Sequence, residues 1–135
     1  MKIGVLADVH SNILALRAVT DALEAAGCEE YFLLGDFVSD TPYTAETMAY
    51  LKDFINGHKC HVLRGNREEY MLLQREYREA GDEKNIWLSN SASGNLLHAY
   101  EQLTEEDLGY FQRLPISFCF RREGYPDIFC CHGSP

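Results

Sequence analysis

The chain has 135 residues, of which 46% are hydrophobic and 24% are charged. This length fits one domain, because a single hydrophobic core commonly serves roughly 100–200 residues, and we therefore expect residues 1–135 to form one domain. The 12 Lys and Arg residues against 21 Asp and Glu residues give a net charge of −9. Such an acidic chain, with no run of basic residues that could follow a phosphate backbone, is not expected to bind duplex nucleic acid.

The sequence contains no segment that would hold the protein in a membrane. A membrane-spanning helix needs about 18 or more consecutive apolar residues, and no stretch of the chain reaches that length. The apolar run that begins at Ile3 is interrupted at Asp8, which is too early for a secretory signal peptide. We therefore expect a cytoplasmic protein with no membrane partner. The five cysteines are scattered without zinc-type pairs, which is typical of reduced thiols.

The first half of the chain alternates predicted strands with predicted helices. Short apolar runs predict strands at 3–7, 31–34 and 60–63. A helix is predicted after each strand, from apolar residues that lie three and four positions apart. The residues that define these helices are Leu16, Val19, Leu23 and Ala26, then Met48, Leu51 and Ile55, then Tyr70, Leu73 and Tyr77. Strands that alternate with helices at this spacing predict right-handed crossovers and a parallel sheet.

The second half of the chain predicts one further helix and two strands. Thr104 and Asp107 form a capping box ahead of a helical apolar pattern that ends near Leu114. Apolar segments at 116–120 and 128–131 predict two strands on either side of a turn that contains Gly and Pro. Together with the first half, this order of elements predicts an α/β fold.

Four predicted strands end in a side chain that can bind a metal ion or face a phosphate group. These side chains are Asp8 and His10, then Asp36, then Asn66, then His132. The carboxyl ends of parallel strands lie along one edge of a sheet, where open α/β folds bind their ligands, so we expect these groups to converge. Their oxygen and nitrogen atoms suit Mn, Zn, Fe or Mg better than ions that prefer thiolates.

Each of these residues also has an ordinary structural role open to it. An aspartate at a strand end can cap a helix, an asparagine can form a turn, and a histidine can lie at the surface or in the core. A structural interpretation of any single residue is therefore reasonable. Their order and spacing, taken together, predict a metal site.

The same residues resemble the motifs of the calcineurin-like metallophosphoesterases, and in particular those of the small bacterial phosphoesterases. The family pattern is Asp-x-His, then Gly-Asp, then Gly-Asn-His-Asp/Glu, then a lone His, then Gly-His-x-His. The matching segments of this chain are 8–10, 35–36, 65–68 and His132. The resemblance covers nearly the whole chain and implies an αββα sandwich of the metallophosphoesterase type with an incomplete second sheet.

The resemblance also implies a role for each residue. Asp8 and His10 would hold one metal ion. Asn66 and His132 would hold a second ion, and Asp36 would bridge both and take part in catalysis. The implied cofactors are two divalent ions from among Mn, Fe, Zn, Ni and Mg, with Mn favoured, which would activate water and clamp the phosphoryl oxygens. The implied reaction is the hydrolysis of a phosphate mono- or diester in a small phosphorylated substrate.

One position departs from the family pattern. Arg67 stands where the family has the histidine that protonates the leaving group or stabilises the transition state. An arginine can neutralise developing charge through its several N–H donors, but it does not give up a proton at ordinary pH. We therefore expect Arg67 to act in catalysis through its charge and, with Asn66, to contact the substrate. Such a site is expected to favour esters with good leaving groups or to be slow.

The Gly-His-x-His segment of the family is not found before Pro135, the last residue of the sequence. Because that segment provides one ligand to each ion in the family, we expect this chain to bind metal weakly and to hydrolyse its substrate poorly. His58, His61 and His98 have no neighbouring motif that would replace the segment. A strand edge left uncovered would also favour homo-oligomers.

A second class of function is open to this sequence. A retromer subunit with this fold serves as a scaffold and has lost the acid-base histidine, so the chain could be a protein-interaction module with little catalytic activity. Asp8, Asp36 and Asn66 separate the two hypotheses, because a scaffold has no chemical reason to keep them together. Ser39, Tyr43 and Glu68 lie near the motifs and could contact the substrate, but structural roles are the expected ones.

Overall fold

The computed structural model describes residues 1–133 and contains five strands and five helices over that range. In chain order these are β1 (Ile3–Leu6), α1 (Ile13–Ala25), β2 (Glu30–Leu34), α2 (Thr44–Gly57), β3 (Cys60–Leu63), α3 (Asn66–Ala80), α4 (Gly94–Gln102), α5 (Glu105–Arg113), β4 (Ser117–Phe120) and β5 (Ile128–Cys131). None of these five helices has both the length and the apolar character that a membrane crossing requires. Ser134 and Pro135, and with them the end of the expected 1–135 domain, lie outside the described residues.

The first three strands form the parallel sheet that the sequence predicts, with β2 between β1 and β3. Ile3 pairs with Glu30 on one side of β2, and Tyr31 pairs with Cys60 on the other. β2 is apolar over most of its length and almost entirely buried, as expected for the central strand of a sheet that is covered on both faces. The loop that follows Leu34 therefore lies at the centre of the carboxyl edge of this sheet.

β4 and β5 form a separate antiparallel sheet, with Ser117 opposite Cys131. This sheet packs against the parallel one, and the ring centroids of Phe120 and Phe32 lie 5.2 Å apart. β5 is therefore not a fourth strand of the parallel sheet. His132, which follows β5, approaches the carboxyl edge of the parallel sheet from the second layer.

The larger hydrophobic core lies on the other face of the parallel sheet. Tyr31 and Leu33 of β2 point into it, whereas Phe32 faces the antiparallel sheet. All five helices contribute to this core, through residues that include Leu16, Met48, Leu51, Met71, Ala99, Leu108 and Phe111. The helices, the parallel sheet and the antiparallel sheet form three successive layers, which confirms the predicted α/β fold with an incomplete second sheet. Among the described residues no helix covers the outer face of the antiparallel sheet, as an αββα sandwich would require.

Two helices bury different residues from those that the apolar periodicity selects. In α1, Val19 is 42% exposed, whereas the neighbouring Thr20 is buried and its hydroxyl donates to a carbonyl one turn earlier. In α3, Tyr70 and Leu73 are 39% and 41% exposed, whereas Met71 is fully buried. The predicted inner faces of these two helices are therefore wrong in part.

The inner face of α3 is occupied partly by polar side chains that bond to the backbone. Gln74 is fully buried, and its side chain accepts a hydrogen bond from the N–H of Trp87 at 2.8 Å and donates to the carbonyl of Asn85 at 3.2 Å. Glu68, also fully buried, is hydrogen-bonded to the loops at the carboxyl edge of the sheet. Apolar periodicity does not detect this type of burial, because the hydrogen bonds offset the cost of removing these groups from water.

The last two helices differ in how well the sequence predicts them. α4 was not predicted, and it follows a segment, 81–94, without clear periodicity. The start of α5 is the predicted capping box, in which the Thr104 hydroxyl accepts the N–H of Asp107 at 3.1 Å. The Asp107 carboxylate accepts the N–H of Thr104 at 2.9 Å in return. Each side chain thus satisfies a backbone donor that a helix start would leave without a partner.

Candidate metal centre

The loops after β1 and β2 bring three candidate ligands together. Asp8, His10 and Asp36 each offer one ligand atom, and these atoms lie within 4.8 Å of one another. His10 Nε2 lies 3.7 Å from Asp8 Oδ1 and 3.8 Å from Asp36 Oδ2. The convergence that the strand ends predict is therefore present for these three residues.

Backbone hydrogen bonds hold the two loops together beyond the strands. The N–H of Asp8 donates to the carbonyl of Gly35 at 3.1 Å, and the N–H of His10 donates to the carbonyl of Asp36 at 2.9 Å. The N–H of Ser11 donates to the next carbonyl along the chain, in residue 37, at 2.8 Å. The positions of the candidate ligands are thus determined by the backbone and not only by their side-chain rotamers.

Both loops contain residues in the left-handed region of backbone conformation. Six residues other than glycine have a positive φ among those that the structure describes, and they are Asp8, His10, Ser11, Asp36, Ser39 and Asp40. This conformation is unfavourable for residues with a Cβ, although Asp and His adopt it more often than most. Strained residues of this kind concentrate at functional sites, where the surrounding contacts maintain them.

Two glycines allow the third loop to approach Asp36. A Cβ on Gly65 would collide with the Asp36 carboxylate, and a Cβ on Gly35 would collide with the backbone of Gly65. This close contact places the start of α3 against the centre of the sheet edge. The N–H of Arg67 then donates to Asp36 Oδ1 at 2.9 Å. The Gly-Asp and Gly-Asn pairs in the sequence therefore have a steric reason as well as a chemical one.

A second group of candidate ligands shares Asp36 with the first. His132 Nε2 lies 3.4 Å from Asp36 Oδ2 and 3.1 Å from Asn66 Oδ1. The other ring nitrogen of His132, Nδ1, lies 2.6 Å from the carbonyl oxygen of Leu34. Because a carbonyl only accepts, Nδ1 donates to Leu34, and Nε2 is the ring nitrogen that faces Asp36 and Asn66.

The Asn66 amide provides a test of whether this group fits a cation. Its oxygen faces only acceptor atoms, and turning the amide over would place its nitrogen 3.1 Å and 3.2 Å from the two oxygens of Asp36. Without a cation the turned amide is therefore the favoured form. With a divalent ion among these atoms, the amide oxygen, the carboxylate and the ring nitrogen would all be ligands of a type that such ions accept. The donor set fits the proposed metal.

A third carboxylate, which the sequence analysis did not select, lies at the rim of the centre. Asp40 Oδ2 is 3.2 Å from His10 Nδ1 and 3.4 Å from Arg67 Nη2, and Asp40 Oδ1 accepts a hydrogen bond from Asn95 at 3.0 Å. The guanidinium of Arg67 also lies over the ring of Tyr70, 5.9 Å from its centroid. The one signal in the sequence is that Asp40 belongs to the same loop as Asp36.

Glu68 holds the loops in place and does not face the centre. Its carboxylate accepts the backbone N–H groups of Asp36 at 2.8 Å, Phe37 at 2.7 Å and Gly65 at 2.8 Å. Burial raises the pKa of Glu68, and these three donors oppose that effect. Glu68 and Ser39 are both fully buried, in keeping with the structural roles expected for them, whereas Tyr43 is 46% exposed.

The remaining histidines of the described chain lie outside the centre. His58 Nε2 is 2.7 Å from Glu24, and His61 Nε2 is 2.9 Å from Glu30 at the opposite end of the sheet. His98 contacts Gln102 on α4 at 2.8 Å. None of the three joins the candidate ligands, as the sequence predicts.

The sequence model of the calcineurin-like phosphoesterase family matches residues 1–135 of the chain. The chain is 26% identical over 133 residues to Uncharacterized protein MJ0912 of Methanocaldococcus jannaschii, which covers 98% of this chain and 49% of that protein. The crystal structure of hypothetical protein PH1004 from Pyrococcus horikoshii OT3 superposes on this chain with a TM-score of 0.71 at 22% identity. The superposition covers 94% of this chain and 52% of that one, and it shows a likeness of fold. The chain thus spans about half the length of both proteins. It belongs to the calcineurin-like phosphoesterase family.

Proposed function

We propose that the protein hydrolyses phosphate mono- or diesters with the help of a dinuclear metal centre. The observation that carries this proposal is the sharing of Asp36 between two groups of ligand atoms. One group contains Asp8 and His10, and the other contains Asn66 and His132. Asp36 would bridge the two ions, and each of the other four residues would bind one of them.

The metal ions proposed are divalent and accept oxygen and nitrogen ligands. The five candidate ligands provide two carboxylates, two imidazoles and one amide oxygen, and no thiolate. This mixture is compatible with Mn, Fe, Zn, Ni or Mg, and Mn is our preferred choice among them. When bound, two such ions would lower the pKa of water and withdraw charge from the phosphoryl oxygens.

The chain's own residues would bind and orient the ester. Arg67 follows Asn66 in the chain and its side chain is partly exposed, so its guanidinium can donate hydrogen bonds to phosphoryl oxygens. Its backbone N–H at the same time keeps Asp36 Oδ1 in place. Asn66, at the first position of α3, would contact the substrate from the same side. Because Arg67 does not release a proton, the leaving group must depart as an anion or take its proton from water.

The test is a comparison of two histidine variants. His10→Ala removes a candidate ligand, whereas His98→Ala removes an exposed histidine on α4 and serves as the matched control. Both variants and the parent protein would be loaded with Mn²⁺, analysed for bound metal, and assayed on bis(p-nitrophenyl) phosphate and p-nitrophenyl phosphate. We expect the parent and His98→Ala to bind metal and to hydrolyse at least one of these esters.

We expect His10→Ala to lose bound metal and hydrolysis. Circular dichroism should show that its fold is retained. If the parent protein holds no metal and hydrolyses neither ester at any metal concentration, the proposed function is wrong, and a protein-interaction module becomes the better hypothesis. Equal metal content and equal rates in His10→Ala and His98→Ala would show that the reaction, if present, takes place elsewhere.

A further inference from the structure

Asp40 contacts three different parts of the candidate centre. Its Oδ2 atom lies 3.2 Å from His10 Nδ1 and 3.4 Å from Arg67 Nη2. Its Oδ1 atom accepts a hydrogen bond from the side chain of Asn95, near the start of α4, at 3.0 Å. The carboxylate is therefore fixed on one side by α4 and faces a candidate metal ligand and a candidate catalytic residue on the other.

The two nitrogen atoms next to Asp40 have few other partners. His10 Nδ1 and Arg67 Nε are both buried and make no hydrogen bond within the described part of the chain. Asp40 Oδ2 lies 3.2 Å from His10 Nδ1, which is within hydrogen-bond distance but outside hydrogen-bond geometry. A buried nitrogen without a hydrogen-bond partner costs free energy. The Asp40 carboxylate is the neighbouring acceptor that could pair with His10 Nδ1.

The backbone around Asp40 is held in a strained conformation by several contacts. Ser39 and Asp40 have φ values of 87° and 67°. The N–H of Ser39 donates to Ser11 Oγ at 2.9 Å, and the hydroxyl of Thr41 donates to the carbonyl of His10 at 2.7 Å. These bonds tie the loop that carries Asp40 directly to the loop that carries His10, so the carboxylate and the imidazole move together.

We propose that Asp40 is a positioning residue that orients both the imidazole of His10 and the guanidinium of Arg67. This proposal rests on the proposed function, since it assigns a role to Asp40 within the same centre. A carboxylate on Nδ1 keeps that nitrogen protonated, directs Nε2 toward the ion and makes it a better ligand. The same oxygen restrains Arg67, which links the first ligand group to the residue that would meet the phosphoryl charge.

An ordinary surface ion pair would have much smaller effects. Exposed pairs are screened by water and contribute little to stability. Asp127 and Arg121 form such a pair, with Nε and Oδ2 3.1 Å apart and both side chains largely exposed. Asp127→Asn is therefore the matched control for substitutions of Asp40.

The experiment measures metal binding and the state of the His10 ring in Asp40→Asn and Asp40→Ala. Calorimetric titration with Mn²⁺ should show an affinity that is about 10–100-fold lower in Asp40→Ala, the usual cost of losing an outer partner of a ligand histidine. Asp40→Asn should fall between Asp40→Ala and the parent, because the amide oxygen can still accept the proton of Nδ1. Nitrogen NMR of the metal-free protein should show His10 with the proton on Nδ1 in the parent and a mixture of tautomers in Asp40→Ala.

Unchanged affinity in Asp40→Ala, together with an unchanged His10 tautomer, would overturn the proposal. Equal losses in Asp40→Ala and Asp127→Asn would also overturn it, because they would indicate a general charge effect. A parent protein that binds Mn²⁺ but hydrolyses neither nitrophenyl ester would contradict the proposed function only, since the affinity and NMR comparisons still measure the role of Asp40.

Discussion

The two ends of the parallel sheet carry charged residues in opposite arrangements. At the amino end, the buried carboxylate of Glu30 lies 2.7 Å from Lys59 Nζ, 2.9 Å from His61 Nε2 and 3.4 Å from Arg122 Nη1. At the carboxyl end, Asp8, Asp36 and Asp40 lie near one another, and among the described residues Arg67 is the one arginine or lysine that reaches them. The first cluster is rich in cations, and the second is rich in anions.

The difference shows how a structural charge cluster can be told from a binding site. The hydrogen bond from Lys59 lowers the pKa of Glu30, against the opposing effect of burial, and His61 adds to the lowering. That cluster is satisfied by the protein itself. At the carboxyl end, carboxylate oxygens, ring nitrogens and the Asn66 oxygen face one another, an arrangement that suits a cation from outside the chain.

The largest effect is expected for Asp36→Asn, because Asp36 belongs to both ligand groups. We expect the affinity for Mn²⁺ to fall by more than about 100-fold, the upper end of what the loss of an outer partner costs. The metal-free protein should be as stable as the parent or more so, since one charge leaves an anionic cluster. Titration calorimetry and thermal unfolding measure the two quantities, with Asp21→Asn, an exposed carboxylate on α1, as the control. Full affinity for two ions in Asp36→Asn would exclude its bridging role.

The opposite pattern is expected at the other end of the sheet. Glu30→Gln leaves Lys59, His61 and Arg122 without their carboxylate, and we expect a loss of about 1–3 kcal/mol of stability, as for other hydrogen bonds to charged groups. The Mn²⁺ affinity should not change. Urea unfolding measures the stability, with Glu76→Gln on the exposed side of α3 as the control. If Glu30→Gln lowered the Mn²⁺ affinity and left the stability unchanged, the assignment of a structural cluster to the amino end and a binding site to the carboxyl end would be wrong.

A smaller effect is expected when a proton donor replaces Arg67. Arg67→His should accelerate the hydrolysis of esters with poor leaving groups by about tenfold. This is less than the ~10²–10⁴-fold of an optimised general acid, because no residue of the site is arranged to position the new imidazole. Esters with good leaving groups should change little or become slower. A series of aryl phosphodiesters gives the dependence of rate on leaving-group pKa. An unchanged slope would contradict the assignment of Arg67 to charge stabilisation.

The smallest effect concerns pH and the amino end alone. The pKa of Glu30 is lowered from its ordinary value of 4.5 in the folded protein. As the pH falls, the unfolded chain therefore takes up a proton at this residue at a higher pH than the folded chain does. The stability that Glu30 contributes is therefore complete above about pH 5 and is lost as the pH falls below its folded pKa. The difference in unfolding free energy between the parent and Glu30→Gln should shrink from pH 6 to pH 3. A difference that stays constant over this range would show that the charge of Glu30 does not stabilise the fold.

Much of the fold follows from patterns that act over a few residues. The apolar runs of β1, β2 and β3 and the capping box at Thr104 are local signals, and the structure contains each of these elements. The buried face of α3 was predicted in part wrongly. Gln74 lies on that face, where it is hydrogen-bonded to the backbone of residues 85 and 87. Those partners lie in a segment without periodicity, so no local pattern connects them to the helix.

The candidate centre shows the same limit. Asp8, His10 and Asp36 could be placed near one another because the rule for strand ends applies to them directly. His132 could be selected by its motif, but its approach from the antiparallel sheet depends on how two layers pack. Asp40 could not be selected, because its importance comes from contacts with residues that lie far away along the chain, Arg67 and Asn95.

The six positive φ angles in the loops around the centre also determine when it can form during folding. Each such conformation costs a residue with a Cβ about 1–2 kcal/mol, so neither loop is expected to adopt its native shape in an isolated peptide. Because the hydrogen bonds that hold the loops run between the ends of β1 and β2, we expect the loops to become stable only after these strands have paired. We expect His132 to join them only after the second sheet has docked. A partly folded chain therefore lacks the assembled ligands, and a metal ion would bind to and stabilise the native state alone.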